Sequence, residues 1–495
     1  MFEAIELGRS LSKKEFKQAE QQFRAELLQL QQQLAGLNVP VLIIVAGVEG
    51  SGKGDVVNCL NKWFDSRGIM THAFWDETDE ETARPEYWRY WMSLPARGSI
   101  SIMFGGWYWN PIYQHSTGML DDAGLDEAAQ RIKDLEDTLR QDGVLTVKLW
   151  FHLAKKTFRN RLKKGSEAAR HIQTDAKDHH GGLEYAPFLA SAERMIRHTD
   201  TSASTWHLIE AENRWFRDMS VVEVIRNGFK QRLEEHRVAD RRAVVKNLMT
   251  AIEESSVTIL DRLDMSQVLA KSDYKEQLKH YQTRLSQLAW QAYDARHSTV
   301  IVLEGWDAAG KGGVIRRLTD TVDARLYRSI SVAAPSDEEL AHHYLWRFWR
   351  QVPRAGYMTL YDRSWYGRVL VERVEGLAQP HEWMRAYQEI NDFEEQLVDS
   401  GGVLLKFWLH ISPEEQLHRF EARQQIPWKQ HKLTDEDWRN RDNWDDYAQA
   451  VNEMVLRTST GKAPWTLVSA NDKLYARIEV LKTVCQCLER ALKDK

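Results

Sequence analysis

Cysteine is scarce in this chain. Only three occur among 495 residues, at Cys59, Cys485 and Cys487. Three cysteines cannot build a disulfide framework, and their spacing does not match the four-ligand pattern of a closed zinc site. The scarcity therefore excludes a disulfide-stapled fold and a structural zinc module, and it fits a reducing compartment.

Long apolar runs are also missing. No segment approaches the ~20 consecutive apolar residues that a membrane-spanning helix needs. The first residues, Met1–Glu6, show no basic stretch followed by an apolar core. We therefore expect no signal peptide, no membrane segment and a cytoplasmic location.

The chain also has no excess of positive charge. The net charge is −5, with 43% hydrophobic and 28% charged residues, which is a globular composition. A polyanion can still bind, because only the local field at a cleft matters. The basic–aromatic segment 346–350 could stack nucleic-acid bases. The similar segment 88–91 and the net acidity favour helix packing instead, so we expect no nucleic-acid partner.

What the chain does contain is an internal repeat. Val41–Gly54 and Thr299–Gly312 share an apolar run followed by a glycine-rich segment, 258 positions apart. Matching residues keep this offset from Leu11 to His152 of the first copy. A register of that length predicts two copies of one domain. We place the two domains at 1–230 and 269–495. The segment between them, 231–268, lacks glycine and proline and is predicted to be helical.

Each copy shows the same order of elements. An amphipathic helix (11–34 and 269–293) precedes an apolar strand (41–46 and 299–303), a glycine-rich turn and a second helix. Further strands are predicted at 358–361, 403–409 with its counterpart 144–153, and 465–468. Short apolar strands alternating with long helices predict α/β domains, each with a parallel sheet flanked by helices.

The glycine-rich segment of the second copy has the spacing of a phosphate-binding P-loop, with four residues between Gly305 and Gly310-Lys311. Glycine lets the backbone wrap closely, so that several N–H groups point at phosphate oxygens. The helix that follows adds its positive dipole end. The candidate phosphate-binding residues are Gly305, Ala308, Ala309, Gly310, Lys311 and Gly312 in the second copy, and Gly47, Gly50, Gly52 and Lys53 in the first.

Both loops depart from the usual P-loop after the lysine. Gly312 and Gly54 occupy the position of the Ser or Thr whose hydroxyl normally holds magnesium. Another group must then hold the metal, and Asp307 inside the loop is a candidate. The alternative is that Asp307 only stabilises the turn by bonding nearby backbone N–H groups.

A second charged segment follows the predicted strand 358–361 and contains Asp362, Arg363 and Arg368. Ligands of α/β sheets collect at the carboxyl ends of the strands, so Asp362 is a second candidate metal ligand. The two arginines would offset the charge of a moving phosphoryl group. The alternative is a surface ion pair between Asp362 and Arg363, but the neighbouring P-loop favours the catalytic interpretation.

The first copy has lost this charged segment. Phe104, Gly105 and Asn110 stand where the second copy has Asp362, Arg363 and Arg368, and Glu49 stands where it has Asp307. Lys53 is kept. We therefore predict that the first copy retains a phosphate cradle with a degenerate metal site, and that it is weakly active or inactive.

Together these motifs resemble polyphosphate kinase family 2. The resemblance rests on Gly305–Gly313 and Tyr361–Arg368, with support from the segments 390–394, 409–412, 428–429 and 463–465. It implies a P-loop kinase fold with a helical lid and magnesium-dependent phosphoryl transfer between inorganic polyphosphate and nucleotides. Members with two fused domains make ADP from AMP. The catalytic residues implied are Asp307, Lys311, Asp362, Arg363 and Arg368, with Asp307 and Asp362 as metal ligands.

A channel for this polyanion needs spaced cations. We predict that the stretch from Arg363 to Arg373, with Arg368 between, forms one wall. Arg419, Arg423 and Lys429 are predicted to form another wall, on a movable lid. Lid closure would exclude water, which would otherwise accept the phosphoryl group. The alternative for each side chain is a solvated charge on a helix face.

Alternative functions stay open at this point. They are an ATP-dependent nucleoside or nucleotide kinase, a polyphosphate-dependent nucleoside diphosphate kinase, and a non-catalytic protein that binds polyphosphate or nucleotide. The preference for AMP rests on the family resemblance alone. Two fused copies can imitate a dimer, so a monomer and a homo-oligomer are both compatible with the sequence.

Overall fold

The computed structural model describes residues 1–74, 76–161, 184–242, 258–425 and 435–493. The chain divides into two compact units. The first comprises Met1–Asp76, Tyr90–Thr250 and Ala341–His343, and the second comprises Glu77–Arg89, Ala251–Leu340 and Tyr344–Lys495. Each unit contains the sheet of one sequence copy.

The sheet of the first unit has five parallel strands. They are β1 (Val41–Gly47), β2 (Ile69–Ala73), β3 (Ile100–Phe104), β4 (Leu145–His152) and β5 (Trp206–Glu210). Their order is β2-β3-β1-β4-β5, so the strand that leads into the glycine-rich loop is central. All seven residues of β1 are buried, because helices cover both faces of a parallel sheet.

Eight α-helices are described in the first sequence copy. They are α1 (Lys13–Gly36), α2 (Lys53–Trp63), α3 (Asp79–Thr82), α4 (Trp88–Trp91), α5 (Trp109–Ser116), α6 (Asp122–Gln141), α7 (Tyr185–Thr199) and α8 (Arg214–Arg242). Short 3-10 helices cover Phe2–Ile5, Ser66–Gly68 and Gly106–Tyr108. Helix α1 begins after a capping box, in which Ser12 and Glu15 bond each other's backbone N–H groups.

The sheet of the second unit repeats this arrangement. Its parallel strands are β6 (Thr299–Gly305), β7 (Tyr327–Ser331), β8 (Met358–Asp362), β9 (Val403–His410) and β10 (Trp465–Ser469). The order β10-β9-β6-β8-β7 again places the strand before the loop in the centre. The predicted fold class is therefore confirmed: two tandem α/β copies, each with a parallel sheet flanked by helices.

Ten α-helices are described in the second sequence copy. They are α9 (Lys271–Asp294), α10 (Lys311–Thr319), α11 (Asp337–Leu340), α12 (Trp346–Trp349), α13 (Val371–Val374), α14 (Pro380–Asp399), α15 (Pro413–Gln424), α16 (Asp435–Asp442), α17 (Trp444–Thr458) and α18 (Lys473–Ala491). Two 3-10 helices cover Leu260–Arg262 and Trp365–Arg368. None of the helices in the described ranges is both long and apolar enough to cross a membrane.

The segment between the sequence copies is described in part. Helix α8 continues to Arg242, and one 3-10 turn at Leu260–Arg262 follows the residues 243–257, which lie outside the described ranges. The domain boundaries therefore stay a prediction. The strands β2 and β7 were not predicted, because no residue of these short edge strands is buried and neither strand has a long apolar run.

A buried ion pair holds the loop that follows β8. Glu394 accepts hydrogen bonds from Trp365 Nε1 at 3.0 Å and Tyr366 Oη at 2.7 Å. Lys406 Nζ lies 2.7 Å from its other oxygen and also donates to Thr458 O at 2.7 Å. Burial raises the pKa of Glu394 and lowers that of Lys406, although the ion pair opposes both shifts.

The first unit contains the same network. Glu136 accepts from Trp107 and Tyr108, and its second oxygen lies 2.9 Å from Lys148 Nζ. Lys148 also donates to Thr199 O at 2.8 Å. Both units contain the buried Lys–Glu pair, although only the second has charged residues after the equivalent strand. We infer that the pair stabilises the fold and has no part in catalysis.

We expect Glu394→Ala to lower the free energy of unfolding of the second unit by about 3–5 kcal/mol, because it leaves the Lys406 ammonium buried without its counter-charge. Urea titration followed by circular dichroism measures the loss. Glu136→Ala is the matched substitution in the first unit and should cost a similar amount. A loss below about 1 kcal/mol, typical of a surface pair, would contradict this prediction.

Candidate active site

The loop between β6 and α10 has a backbone that requires glycine at two positions. Gly305 has φ +150°, and a Cβ added there would lie 2.6 Å from Leu409 O. Gly310, which precedes the first residue of α10, has φ +113°. Side chains rarely adopt these angles, so the predicted P-loop glycines are explained by backbone geometry.

Lys311 turns back over this loop from the first position of α10. Its Nζ donates to Gly305 O at 2.6 Å and to Trp306 O at 3.3 Å. The ammonium group therefore stands over the loop at the N-terminal end of a helix, where backbone N–H groups and the helix dipole favour an anion. This is the position that the sequence predicts for the phosphate-binding lysine.

Asp307 is the charged side chain of the loop, and it is only 12% exposed. One carboxylate oxygen lies 3.1 Å from Arg363 Nη2, and the other accepts a hydrogen bond from Asn440 Nδ2 at 2.8 Å. Burial alone would raise the pKa of Asp307, but Lys311 and Arg363 lower it below its ordinary value. Asp307 is thus an ionised carboxylate, and it does not serve only as a turn-stabilising residue.

Asp362 ends β8 beside the strand that leads into the loop. It pairs with Leu303 of β6, two residues before Gly305. In the described part of the chain, its half-buried carboxylate takes part in no hydrogen bond or ion pair. The side chain is therefore available to a ligand at the carboxyl end of the sheet.

A magnesium ion fits this donor set only together with bound phosphates. No group of three or more His, Cys, Asp or Glu side chains among the described residues could hold a metal. Magnesium in phosphoryl-transfer sites usually takes one or two carboxylates, waters and substrate phosphates. The unengaged Asp362 meets that requirement, and Asp307 is the second candidate, with both its oxygens already hydrogen-bonded.

Arg363 follows Asp362 and links two elements of the site. It has φ +64°, a left-handed backbone angle that is uncommon for a residue with a side chain. Its guanidinium lies 3.1 Å from Asp307 and 3.4 Å from Glu436 of α16. Burial would lower the pKa of Arg363, but the surrounding carboxylates, Asp307 first, hold it above its ordinary value. The charge is permanent and lies beside the loop.

The structure adds a buried carboxylate that sequence reasoning missed. Glu304, the residue before Gly305, accepts a hydrogen bond from Ser364 Oγ at 2.8 Å. Burial raises its pKa against the opposing effect of Lys311. The equivalent residues of the first copy are Ala46 and Gly106. The replacement of both Glu304 and Ser364 in the first copy was the signal in the sequence that pointed to this hydrogen-bonded pair.

Helix α16 supplies further residues that were not predicted. Glu436 contacts Arg363, and Asn440 donates to Asp307 while accepting from Tyr447 Oη at 3.0 Å. Next to α16, Trp444 stacks on Trp306 of the loop with ring centroids 3.7 Å apart and planes 8° apart. The segment after the undescribed residues 426–434 therefore contacts the loop directly.

Arg419 has a different place from the one predicted. Instead of lining a channel wall, the side chain is 4% exposed and lies against the loop. Its Nη1 donates to Ala308 O and Ala309 O, both at 2.9 Å, and its Nη2 donates to Ala470 O and Asn471 O. Its Nε bonds Glu415. All five guanidinium donors are engaged, so Arg419 fixes the loop and has none left for phosphate.

Arg368 and Arg373 contact other groups. Arg368 lies 3.1 Å from Glu372 and stacks over the Tyr344 ring. Arg373 bonds Tyr387 Oη at 2.8 Å and Glu453 at 2.6 Å. Within the described ranges, no hydrogen bond, ion pair or ring contact joins either side chain to the loop. The structure therefore does not bring these two predicted residues to it.

The other predicted phosphate contacts divide into three groups. Ala309 is buried within the loop, and Gly312 has open space where a Cβ would stand. Arg423 lies near the end of α15, in the surroundings of Arg419. Lys429 lies outside the described residues.

The loop of the first unit has the same lysine geometry in different surroundings. Lys53 Nζ donates to Gly47 O at 2.6 Å and Val48 O at 2.9 Å. Burial lowers the pKa of Lys53 to about 8, with Glu49 opposing the shift. The Phe104 ring centroid lies 5.8 Å from Nζ, at the position equivalent to Asp362. The first unit therefore keeps the lysine geometry of the loop, but it has an aromatic ring where the second unit has the Asp362 carboxylate.

The chain is similar to known proteins over its whole length. The family model described as Polyphosphate kinase 2 matches residues 10–237 and 268–495. A polyphosphate:AMP phosphotransferase of Pseudomonas aeruginosa is 43% identical over 495 residues, which cover 100% of this chain and 99% of that protein. One from Acinetobacter johnsonii is 37% identical, with 91% of each chain covered. A crystal structure of a putative polyphosphate kinase 2 from Pseudomonas aeruginosa has a TM-score of 0.88 at 42% identity and full coverage of both chains.

We expect Arg419→Ala to release the loop, because Ala308 O and Ala309 O lose their donor. Amide hydrogen exchange of residues 305–311, followed by mass spectrometry, should accelerate at least about 30-fold if about 2 kcal/mol of local stability is lost.

Arg161→Ala is the matched control in the first unit, where Arg161 donates to Gly50 O, Ala211 O and Glu212 O. It should accelerate exchange at 47–53 and leave 305–311 unchanged. Unchanged exchange at 305–311 in Arg419→Ala would show that the arginine does not hold the loop.

Proposed function

The chain is an enzyme of the polyphosphate kinase 2 family, and from that premise we propose that it transfers a phosphoryl group from inorganic polyphosphate to AMP, giving ADP, with magnesium and in the second unit. The observation that carries the proposal is the contrast between the two units. Only the second combines a loop lysine with Asp307, Asp362 and Arg363. The full-length similarity to polyphosphate:AMP phosphotransferases supports AMP as the acceptor.

The loop residues would bind the donor. Backbone N–H groups of the loop and Lys311 would hold the terminal phosphates of polyphosphate against the N-terminus of α10. Arg363 stands beside this position and would offset the negative charge on the transferring group. The Glu436 carboxylate, which contacts Arg363 in the structure, would be displaced by the incoming phosphate because both are anions with one guanidinium partner.

The transfer itself needs positioning rather than a proton acceptor. A phosphate oxygen of AMP attacks the terminal phosphorus, the P–O bond to the next phosphate breaks, and the shortened polyphosphate leaves with the bonding electrons. Asp362 would hold magnesium, which when bound would supply positive charge that offsets the negative charge of the phosphate groups. Asp307, fixed by Arg363 and Asn440, would orient the acceptor phosphate or share the metal.

The direct test uses purified protein with AMP, polyphosphate and magnesium, and no ATP. ADP, separated by chromatography, is the expected product, and EDTA should stop its formation. ATP in place of polyphosphate detects an ATP-dependent kinase, and ADP in place of AMP detects a polyphosphate-dependent diphosphate kinase. If product forms only with ATP as the donor, or only with ADP as the acceptor, the corresponding alternative function replaces the proposal.

We expect Asp362→Asn to reduce kcat about 1,000-fold or more, because it removes the charge that holds magnesium while preserving side-chain shape. Steady-state ADP formation at saturating substrates measures the loss. Lys311→Ala should cause a comparable loss, whereas Lys53→Ala, its counterpart in the first unit, should have a small effect. Equal losses from Lys311→Ala and Lys53→Ala would contradict the assignment of chemistry to the second unit.

A further inference from the structure

The turn after β8 takes a different backbone path from its counterpart in the first unit. Arg363 has a left-handed angle, φ +64°, and Ser364 after it is extended, with φ −153° and ψ −158°. In the first unit both positions are glycines and both are left-handed, since Gly105 has φ +82° and Gly106 has φ +55°. The second unit therefore forms its turn with side chains at two positions where the first unit has none.

The left-handed angle costs free energy for Arg363 but not for Gly105, because only the arginine has a Cβ that crowds the neighbouring carbonyl group. In both units the residue at this position donates its backbone N–H to the central strand. Arg363 N bonds Leu303 O at 3.2 Å, and Gly105 N bonds Val45 O at 2.9 Å. This shared bond already holds a turn made of glycines. A further contact that fixes the backbone would offset the additional cost of the arginine.

Glu304 and Ser364 supply such a contact. Ser364 Oγ donates to Glu304 Oε1 at 2.8 Å and accepts from Tyr366 N at 3.3 Å. Both side chains are buried, and within the described ranges the Glu304 carboxylate forms no other hydrogen bond or ion pair. The serine hydroxyl thus joins the end of the central strand β6 to the 3-10 helix that follows Arg363.

The Glu–Ser contact and the arginine occur together in the second unit and are both missing from the first. Ala46, Gly105 and Gly106 stand at the three equivalent positions. The buried glutamate that bonds the following Trp and Tyr is present in both units, as Glu136 and Glu394. The Glu–Ser contact is therefore associated with the arginine rather than with the fold that both units share.

We propose that Glu304 and Ser364 are positioning residues for Arg363. Their hydrogen bond holds the turn in the conformation that aims the guanidinium at the loop, where it lies 3.1 Å from Asp307. Without this bond, Arg363 relaxes to a negative φ, and its Cβ turns away from the loop. The proposal rests on the proposed function, because the position of Arg363 affects the rate only if its charge acts on the transferring phosphoryl group.

The kinetic test uses Ser364→Ala in the full-length protein. It should lower kcat about tenfold, because a buried acceptor without its donor costs enough to leave about a tenth of the enzyme in the active conformation. The KM for AMP should stay at the wild-type value. Ser364→Gly, which installs the residue of the first unit, should lower kcat further. Glu304→Ala should match Ser364→Ala, and Glu304→Gln, which keeps an accepting oxygen, should recover most of the activity.

A double-mutant cycle separates positioning from a general effect on the fold. In an Arg363→Ala background, Ser364→Ala should cause no further loss of kcat, because the side chain that it positions is gone. Ser101→Ala is the matched control in the first unit, since it removes a buried hydroxyl that bonds Ser93 O at 2.8 Å, and it should leave kcat unchanged. The same loss with and without Arg363, or an unchanged kcat in Ser364→Ala, would overturn the positioning role.

Crystal structures without substrates keep this test separate from the proposed function. In Ser364→Ala we expect the guanidinium to leave Asp307 and the φ of Arg363 to become negative, whereas the wild type keeps both features. If the wild type forms no ADP, the proposed function fails, and this pair of structures alone decides the positioning role. An Arg363 that keeps its left-handed angle and its contact with Asp307 in Ser364→Ala would refute it.

Discussion

A backbone loop that points N–H groups at a phosphate must point several carbonyl groups elsewhere, and those carbonyls need donors of their own. In the second unit Arg419 supplies such donors, since its buried guanidinium donates to Ala308 O and Ala309 O. Lys311 bonds Gly305 O at the start of the loop. The position of Asp307, and through it that of Arg363, depends on this anchored loop.

The two units share one set of features and differ in another. Both keep the central strand, the loop lysine, the arginine that holds the loop and the buried Lys–Glu pair. They differ in charge at the carboxyl ends of the strands, where Asp362 is replaced by Phe104 and Glu304 by Ala46. The charges at these strand ends can therefore differ while the fold beneath them is maintained by contacts of other residues.

The parallel sheets, the loops and the placement of Asp362 beside the loop followed from local patterns: apolar runs, glycine spacing and strand ends. The roles of Arg419 and Asn440 did not, because they depend on contacts with residues more than 100 positions away. An arginine on an amphipathic helix has the same sequence signature whether it faces solvent or a buried carbonyl. Glu304 was missed because a carboxylate near the end of a buried strand gives no local sign of the Ser364 hydroxyl that bonds it. Only the comparison of the two copies, where Ala46 and Gly106 replace both residues, links them.

The proposed chemistry depends most on Asp362 as the carboxylate that holds the metal, and the first unit has Phe104 in its place. A crystal structure with manganese in place of magnesium, and polyphosphate without AMP, tests this directly through anomalous scattering. We expect a manganese peak bonded to Asp362, with phosphate density at Lys311 and no peak beside Phe104. A peak in the first unit, or phosphate at Lys311 with manganese bound away from Asp362, would contradict it.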